Sequence, residues 1–339
     1  MRRSTLRDPS STGGRRRQLG SRRLSFFPDH VRFGIHAGQQ YADFPSYLEL
    51  WQTAEELGLD WASVFDHFMP IQADPTGPCF EGLTLLAAMA AHTERLRCGI
   101  IVVGVTYRSP AVLANMAATI DHISGGRLEF GRGGAWYELE HDQYGIPVPR
   151  IGERLAMMGE AAVVLKSLWT EPRTTFSGRH YQLKDAMCEP KPLQTPRIPL
   201  WIGGAGERVT LRHVAAQADG WNTFMMPMDE FEHKLEVLDA HCADVGRDRA
   251  EIRIQLVLQA VLGADGREAE EQLRARADSL GVEIDALRDR VMAMTPEQLT
   301  EHLRPYVERG VGDFLLLTRP PMDRRTLELF AGEVATALR

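Results

Sequence analysis

From Val31 onward, short apolar runs rich in β-branched residues alternate with longer runs in which apolar residues recur every three or four positions. The first pattern is that of a buried strand and the second that of a helix packed on one face. Strands are predicted over Val31–His36, Trp61–Asp66, Cys98–Val103, Arg127–Gly131, Pro199–Ile202, Gly220–Phe224, Ile252–Val261 and Asp313–Leu317. Helices are predicted over Tyr47–Leu57, Leu83–His92, Val112–Ile123, Glu153–Trp169, Glu207–Ala218, Glu230–Val245, Pro296–Arg309 and Arg324–Leu338. Eight strand–helix units in one chain favour an α/β fold closed as a (β/α)8 barrel over an open doubly wound sheet. Residues 29–339 contain no long flexible linker and no repeat of solenoid period, so they form one predicted domain. Three segments exceed the repeat: Gly134–Gly152, Glu171–Arg197 and Ala264–Met294. In such barrels the loops after the strands build the site, which makes the first and third candidate pocket walls or lids.

Composition narrows the function classes. The chain has 339 residues, 44% of them hydrophobic, enough for a large core. No run approaches the 18 or so apolar residues that span a bilayer, so no membrane partner is expected. Residues 1–28 hold eight arginines against one aspartate, a net +7, which leaves the remaining chain at −14 within an overall −7. An acidic body argues against nucleic-acid binding. The basic, Ser- and Gly-rich segment 1–28 has the composition of a disordered arm, and a start upstream of the true one, near Val31, would produce the same composition. Its Arg22-Arg23 pair resembles a twin-arginine signal, but Pro28-Asp29-His30 follows where an apolar stretch should begin. Four scattered cysteines with no paired spacing fit a reducing cytoplasm.

Three constellations carry candidate chemistry. Leu200–Asn222 reads as strand, glycine-rich turn and helix. Gly203, Gly204 and Gly206 free the backbone to approach a ligand, and a helix opening near Glu207 would offer its amides to a phosphate; a tight turn is the plainer alternative. Val64-Phe65-Asp66-His67-Phe68 places an acid and an imidazole at the end of strand two, where His67 is either structural or a proton donor and acceptor. Gln40, leaving strand one on the same face, would line one pocket with His67. Gly131-Arg132-Gly133-Gly134-Ala135-Trp136-Tyr137 ends strand four with small residues that admit a flat ring, which Trp136 or Tyr137 could cover. No H-x-H or H-E-x-x-H spacing supports a metal site.

These motifs together resemble the luciferase-like (bacterial-luciferase-fold) oxidoreductases, in the branch that uses the deazaflavin coenzyme F420. The resemblance runs from about Val31 to the C-terminus through AEELGLDWASVFDH (54–67), RCGIIVVGVTYRSPAVLANMAATIDHISGGRLEFGRG (97–133), GRHYQL (178–183), EPKPLQTPRIPLWIGGAGE (189–207), ADGWN (218–222) and MTPEQL (294–299). It implies that Asp66 and His67 are the strand-two pair of that family, with His67 near the reactive edge of the ring. It further implies a non-prolyl cis peptide at Ile101-Val102 behind the ring, ring or ribityl contacts at Gly133, Gly134 and Tyr137, and a phosphate cradle at Gly204, Ala205, Gly206 and Glu207.

What the resemblance implies about function is hydride transfer between a small organic substrate and F420, with FMN as the alternative cofactor. The other readings are an FMN-dependent monooxygenase supplied by a separate flavin reductase, and a non-catalytic flavin-binding protein. An F420-reducing enzyme is the corresponding expected partner, and members of the family are commonly homodimers. Members that oxidise sugar phosphates carry a tryptophan where this chain has Ile71 and a catalytic glutamate where it has Trp136. Basic residues for a second phosphate are not evident after Asn222. These departures point to an apolar substrate pocket near Gln40, Ile71 and Trp136 and away from sugar phosphates.

Overall fold

The structure, a computed structural model, describes residues 26–71 and 74–339. Eight parallel strands close into a barrel: β1 (Arg32–Ala37), β2 (Trp61–Val64), β3 (Arg97–Gly104), β4 (Leu128–Gly133), β5 (Leu200–Gly203), β6 (Gly220–Phe224), β7 (Arg253–Leu258) and β8 (Val311–Thr318), with β1 pairing both β2 and β8. Strands covered by helices outside and side chains inside must be apolar on both faces. All eight residues of β8 are accordingly buried.

The helices follow from local signals. Phe44–Glu56 starts where Asp43 accepts from the Ser46 amide at 3.0 Å, and it buries Tyr47, Leu50, Trp51 and Ala54 along one stripe. Pro296–Glu308 opens on a reciprocal capping box between Thr295 and Gln298, in the MTPEQL segment.

Charged side chains seal the end of the barrel opposite the loops that follow the strands. Arg32 bridges Glu129 (2.6 Å) and Asp313 (2.5 Å), Arg97 joins Glu129 at 2.5 Å, and Arg253 joins Asp313 at 2.6 Å. Burial alone would raise the Glu129 carboxyl, yet Arg32 and Arg97 hold it down at about 2. The Trp201 indole donates to the same carboxylate at 2.6 Å and stacks on Trp61 with ring centroids 5.7 Å apart.

The structure corrects several expectations. The strand predicted over Ile252–Val261 breaks after Leu258, and Ala260–Leu262 leaves the barrel to pair with Met292–Met294. The helix expected from Glu207 begins at Thr210, and Glu138–Tyr144 forms a helix that its loop-like composition hid. Residues 1–25 of the predicted arm lie outside the described residues. The arm's last three residues, 26–28, pack against the barrel and do not behave as a free tail. Phe27 packs on Trp201 at 5.2 Å, the Arg32 guanidinium lies 5.2 Å from the Phe27 ring centre, and Arg253 donates to the Pro28 carbonyl at 2.8 Å. A large aromatic with a cationic neighbour covers the floor, which outweighs the polar composition around it. Phe27→Ala is expected to cost about 1–2 kcal/mol of stability, read as a lower urea midpoint at unchanged slope.

Candidate functional site

The loops that follow the strands enclose a cavity of about 480 Å³, lined by residues from β1 through β7 and the loops after them. Its back wall is the bulge in β3, where the register against β4 shifts between Ile100 and Val103 and the Ile101–Val102 peptide is cis. Val102 reaches toward the neighbouring strands, which leave room by having no side chain there. A Cβ on Gly133 would collide with Val102 Cγ2, and one on Gly203 would lie 2.8 Å from Val102 Cγ1.

His67 stands at one side of this slot, just beyond β2, held from behind by a carboxylate. Its Nδ1 lies 2.7 Å from Glu140 Oε1, while Glu140 Oε2 accepts from the Phe68 amide at 2.9 Å and the Tyr107 hydroxyl donates to Oε1. Burial would raise the Glu140 carboxyl, but His67, Tyr107 and the Phe68 amide together hold it below the usual range. Tyr107 is pushed up, first by burial and then by Glu140, and so stays protonated as a donor. An ionised carboxylate accepts only, so Nδ1 carries a proton and Nε2 remains for exchange with a bound molecule.

Asp66 has a different task. Both its oxygens accept from Arg108 at 2.9 Å and one accepts from the Gly104 amide at 3.1 Å, while Arg108 reaches Glu81 at 2.5 Å. Burial pushes the Asp66 carboxyl up against the pull of Arg108. This network ties the end of β2 to the end of β3.

The opposite side is the turn after β5. Gly204 is left-handed at φ 112°, and its amide bonds to Asn222 O at 3.0 Å. The amides of Ala205, Gly206 and Glu207 have no acceptor among the described residues. A run of free backbone donors is an anion cradle in its own right, and the turn makes it without the helix terminus expected from the sequence, because the helix starts three residues later.

Of the predicted site residues, Asp66, His67, Ile71, Ile101, Val102, Gly133, Gly134, Trp136, Gly204, Ala205 and Gly206 line one cavity. Three do not. Tyr137 turns to the Pro70 carbonyl at 3.4 Å and starts the following helix. Glu207 lies in a neighbouring groove, its carboxylate taken by Lys234 at 2.5 Å. Gln40 accepts from the Ile71 amide at 2.9 Å and lines an adjoining cavity, away from His67. Trp136 stands on the rim, 58% exposed, its ring centre 5.7 Å from that of His67. Glu140 and Tyr107 were missed. The two acids of Tyr137-Glu138-Leu139-Glu140-His141 in an oversized loop were the available signal for the first.

The profile of the luciferase-like monooxygenases matches residues 22–318. The chain belongs to that family. It is 30% identical to an F420-dependent glucose-6-phosphate dehydrogenase of Nocardia farcinica (strain IFM 10152) over 91% of this chain and 98% of the relative. It is 29% identical to F420-dependent glucose-6-phosphate dehydrogenase 1 of Rhodococcus jostii (strain RHA1), with the same coverage. Among solved structures, an F420-dependent secondary alcohol dehydrogenase in complex with an F420-acetone adduct superposes with a TM-score of 0.78 at 19% identity, over 91% of this chain and 99% of that one. A long-chain alkane monooxygenase superposes at 0.75 and 15% identity, over 92% of both chains. At these identities the two structures share the luciferase-like fold with this chain. No helix among the described residues is long and apolar enough to cross a membrane.

One buried base of this luciferase-like site gives a pH prediction. His36 lines the cavity with Nδ1 2.8 Å from Ser63 Oγ, and burial lowers it from its ordinary 6.5 to about 4. The unfolded chain therefore binds a proton between those values that the folded chain refuses, and stability falls as pH drops through that window. His36→Gln is expected to remove up to about 3 kcal/mol of that loss, measured as the difference between the unfolding free energies of parent and variant at pH 7 and pH 4.5.

Proposed function

We propose that this chain is an oxidoreductase that moves a hydride between a small organic substrate and coenzyme F420. The observation that carries the proposal is a single cavity that joins a glycine-backed slot, a run of free backbone amides and a histidine whose proton position is fixed. The slot between Val102 and Gly134 suits a flat tricyclic ring, and the amides of Ala205 and Gly206, with that of Glu207 in the adjoining groove, suit its phosphate. The full-length similarity to F420-dependent relatives supports the deazaflavin over FMN.

When bound, the deazaflavin supplies the hydride-accepting or hydride-donating carbon. The protein supplies the rest. Val102 and the glycines around it orient a ring, Trp136 and the apolar rim limit water, and the turn after β5 fixes the phosphate. His67 Nε2 takes or gives the substrate proton that accompanies hydride transfer, while Glu140 holds the ring in the required tautomer and stabilises its charged form.

Absorbance titration tests the cofactor. F420 is expected to bind at least about tenfold tighter than FMN, which is roughly 1.4 kcal/mol. Tighter FMN binding, with oxygen uptake when a flavin reductase is added, would overturn the assignment. Gly206→Asp puts a carboxylate in the cradle. Gly206 is not left-handed and its new Cβ would meet only the Thr210 side chain, Oγ1 at 3.0 Å and Cβ at 3.6 Å, so the variant should fold. Its F420 affinity should fall at least about tenfold, while Gly266→Asp, where a Cβ meets nothing within 4 Å, should bind as the parent does.

Glu140→Gln separates orientation from binding. It keeps the shape and an acceptor but removes the charge behind His67, so turnover should drop about ten- to a hundredfold with F420 affinity within a factor of two. A variant as fast as the parent would remove His67 and Glu140 from the chemistry.

A further inference from the structure

β4 carries a charge on its apolar side. Gly131 and Gly133 face Val102 in the barrel interior, so alternation turns Phe130 and Arg132 outward, under the helices. Phe130 meets Trp169 of the helix Ile151–Thr170 edge-on, and Arg132 stands one step further along the same face, paired with Val103 of β3 and Ile202 of β5. The Arg132 side chain is wholly buried, and none of its three guanidinium nitrogens has a hydrogen-bond acceptor among the described residues. The other buried arginines are served: Arg32 bridges two carboxylates, Arg197 holds Asp219 and Arg154 donates to the Ala135 carbonyl. Burial lowers Arg132 to about 10, which leaves it charged at neutral pH.

The groups that act on Arg132 are the Tyr181 phenol, Asp66 and Arg108. Asp66 is spent, since both its oxygens accept from Arg108 and one also takes the Gly104 amide. Glu160, the carboxylate that acts on Tyr181, is spent too, accepting from the amides of Arg179, His180 and Tyr181 at 2.8, 2.9 and 3.1 Å. That clamp fixes the backbone of Tyr181, whose hydroxyl oxygen is itself buried with no partner among the described residues. Burial raises the phenol, so it keeps its proton and can donate.

A guanidinium in an apolar layer needs an acceptor of opposite charge, because its lost hydration is otherwise uncompensated. A neutral water would accept from the N–H groups and leave the charge unanswered. Arg132 lines neither the ring cavity nor the two cavities beside it, so no chamber is open to a carboxylate or phosphate compound there. What fits is a monatomic anion, which accepts N–H and O–H donors from any direction.

We infer that a halide ion, chloride in the cell, is enclosed between Arg132 and Tyr181 as a structural part of the barrel. The ion ties β4, which supplies Gly133 to the ring slot, to the segment after the helix Ile151–Thr170. It does not depend on the cofactor proposed above.

Anomalous diffraction decides the site. Crystals grown in sodium chloride, measured where chlorine scatters anomalously, and crystals transferred to sodium bromide, measured above the bromine edge, are expected to show a peak touching the Arg132 guanidinium and the Tyr181 hydroxyl. A peak in either set supports the ion, including one too slow to exchange. No peak in both sets overturns it. Arg132→Met, close in length and uncharged, should abolish the peak, and a peak that persists there at full height overturns the assignment to Arg132. Tyr181→Phe, which removes only the hydroxyl, guards against misfolding of the first variant and should lower bromide occupancy at least threefold; unchanged occupancy overturns the part given to Tyr181. In solution, the parent should melt at least about 2 °C higher in sodium chloride than in sodium gluconate of equal ionic strength, and Arg132→Met should melt equally in both.

Discussion

Val102 turning into the interior of the barrel is the constraint around which the site is arranged. Its two methyl groups need volume that β4 and β5 would ordinarily fill, so Gly133 and Gly203 must lack side chains where they face it. Interiors pack at near-crystalline density, and a protruding valine is accommodated by subtraction next door. The subtraction leaves a flat slot with bare backbone on two sides. His67, the turn after β5 and the rim tryptophan are arranged about that slot.

Charge is divided between the two ends of the barrel to different effect. At the floor, Glu129 and Asp313 are enclosed by Arg32, Arg97 and Arg253, so each carboxylate has cationic partners and the group is locked. Breaking one member would strand a buried charge, which is why such a cluster holds strands in register even though its net contribution to stability is small. At the mouth Glu140 has no guanidinium partner among the described residues. Glu140 meets one imidazole, one phenol and one amide, an arrangement that can tolerate a proton arriving and leaving. One barrel thus uses a saturated network where it needs rigidity and an open one where it needs chemistry.

The fold was legible because its signals are local. Most barrel strands are apolar runs, and helix starts such as Asp43 and Thr295 carry their own caps. The slot and cradle were legible through glycines, whose absence of a side chain is visible in the chain itself. The residues that remained hidden act across space. Glu140 lies 73 positions from His67, and no periodicity links a seven-residue helix in a loop to an imidazole on another strand. Arg276 and Arg290 of the insert and Arg319 at the exit of β8 line one adjoining cavity, which only closure of the barrel brings together. Phe27 was misjudged for the converse reason: composition averages over a window, whereas one aromatic ring suffices to plug a floor.

Among the described residues four side chains, His36, Phe65, Ile71 and Phe224, line both the ring cavity and a second one that Gln40 faces, and this shared border has an evolutionary consequence. The residues that orient the ring and the proton all belong to the first half of the barrel and the turn after β5, whereas the outer wall of the second cavity comes from the insert and the residues after β8. Lineages can therefore rewrite what enters the second chamber by changing residues 264–294 without disturbing a single atom that touches the first. Diversification of substrates in a chain built this way is expected to be written in the insert, with Ile71 and Phe224 as the hinge positions where the two halves of the site must agree.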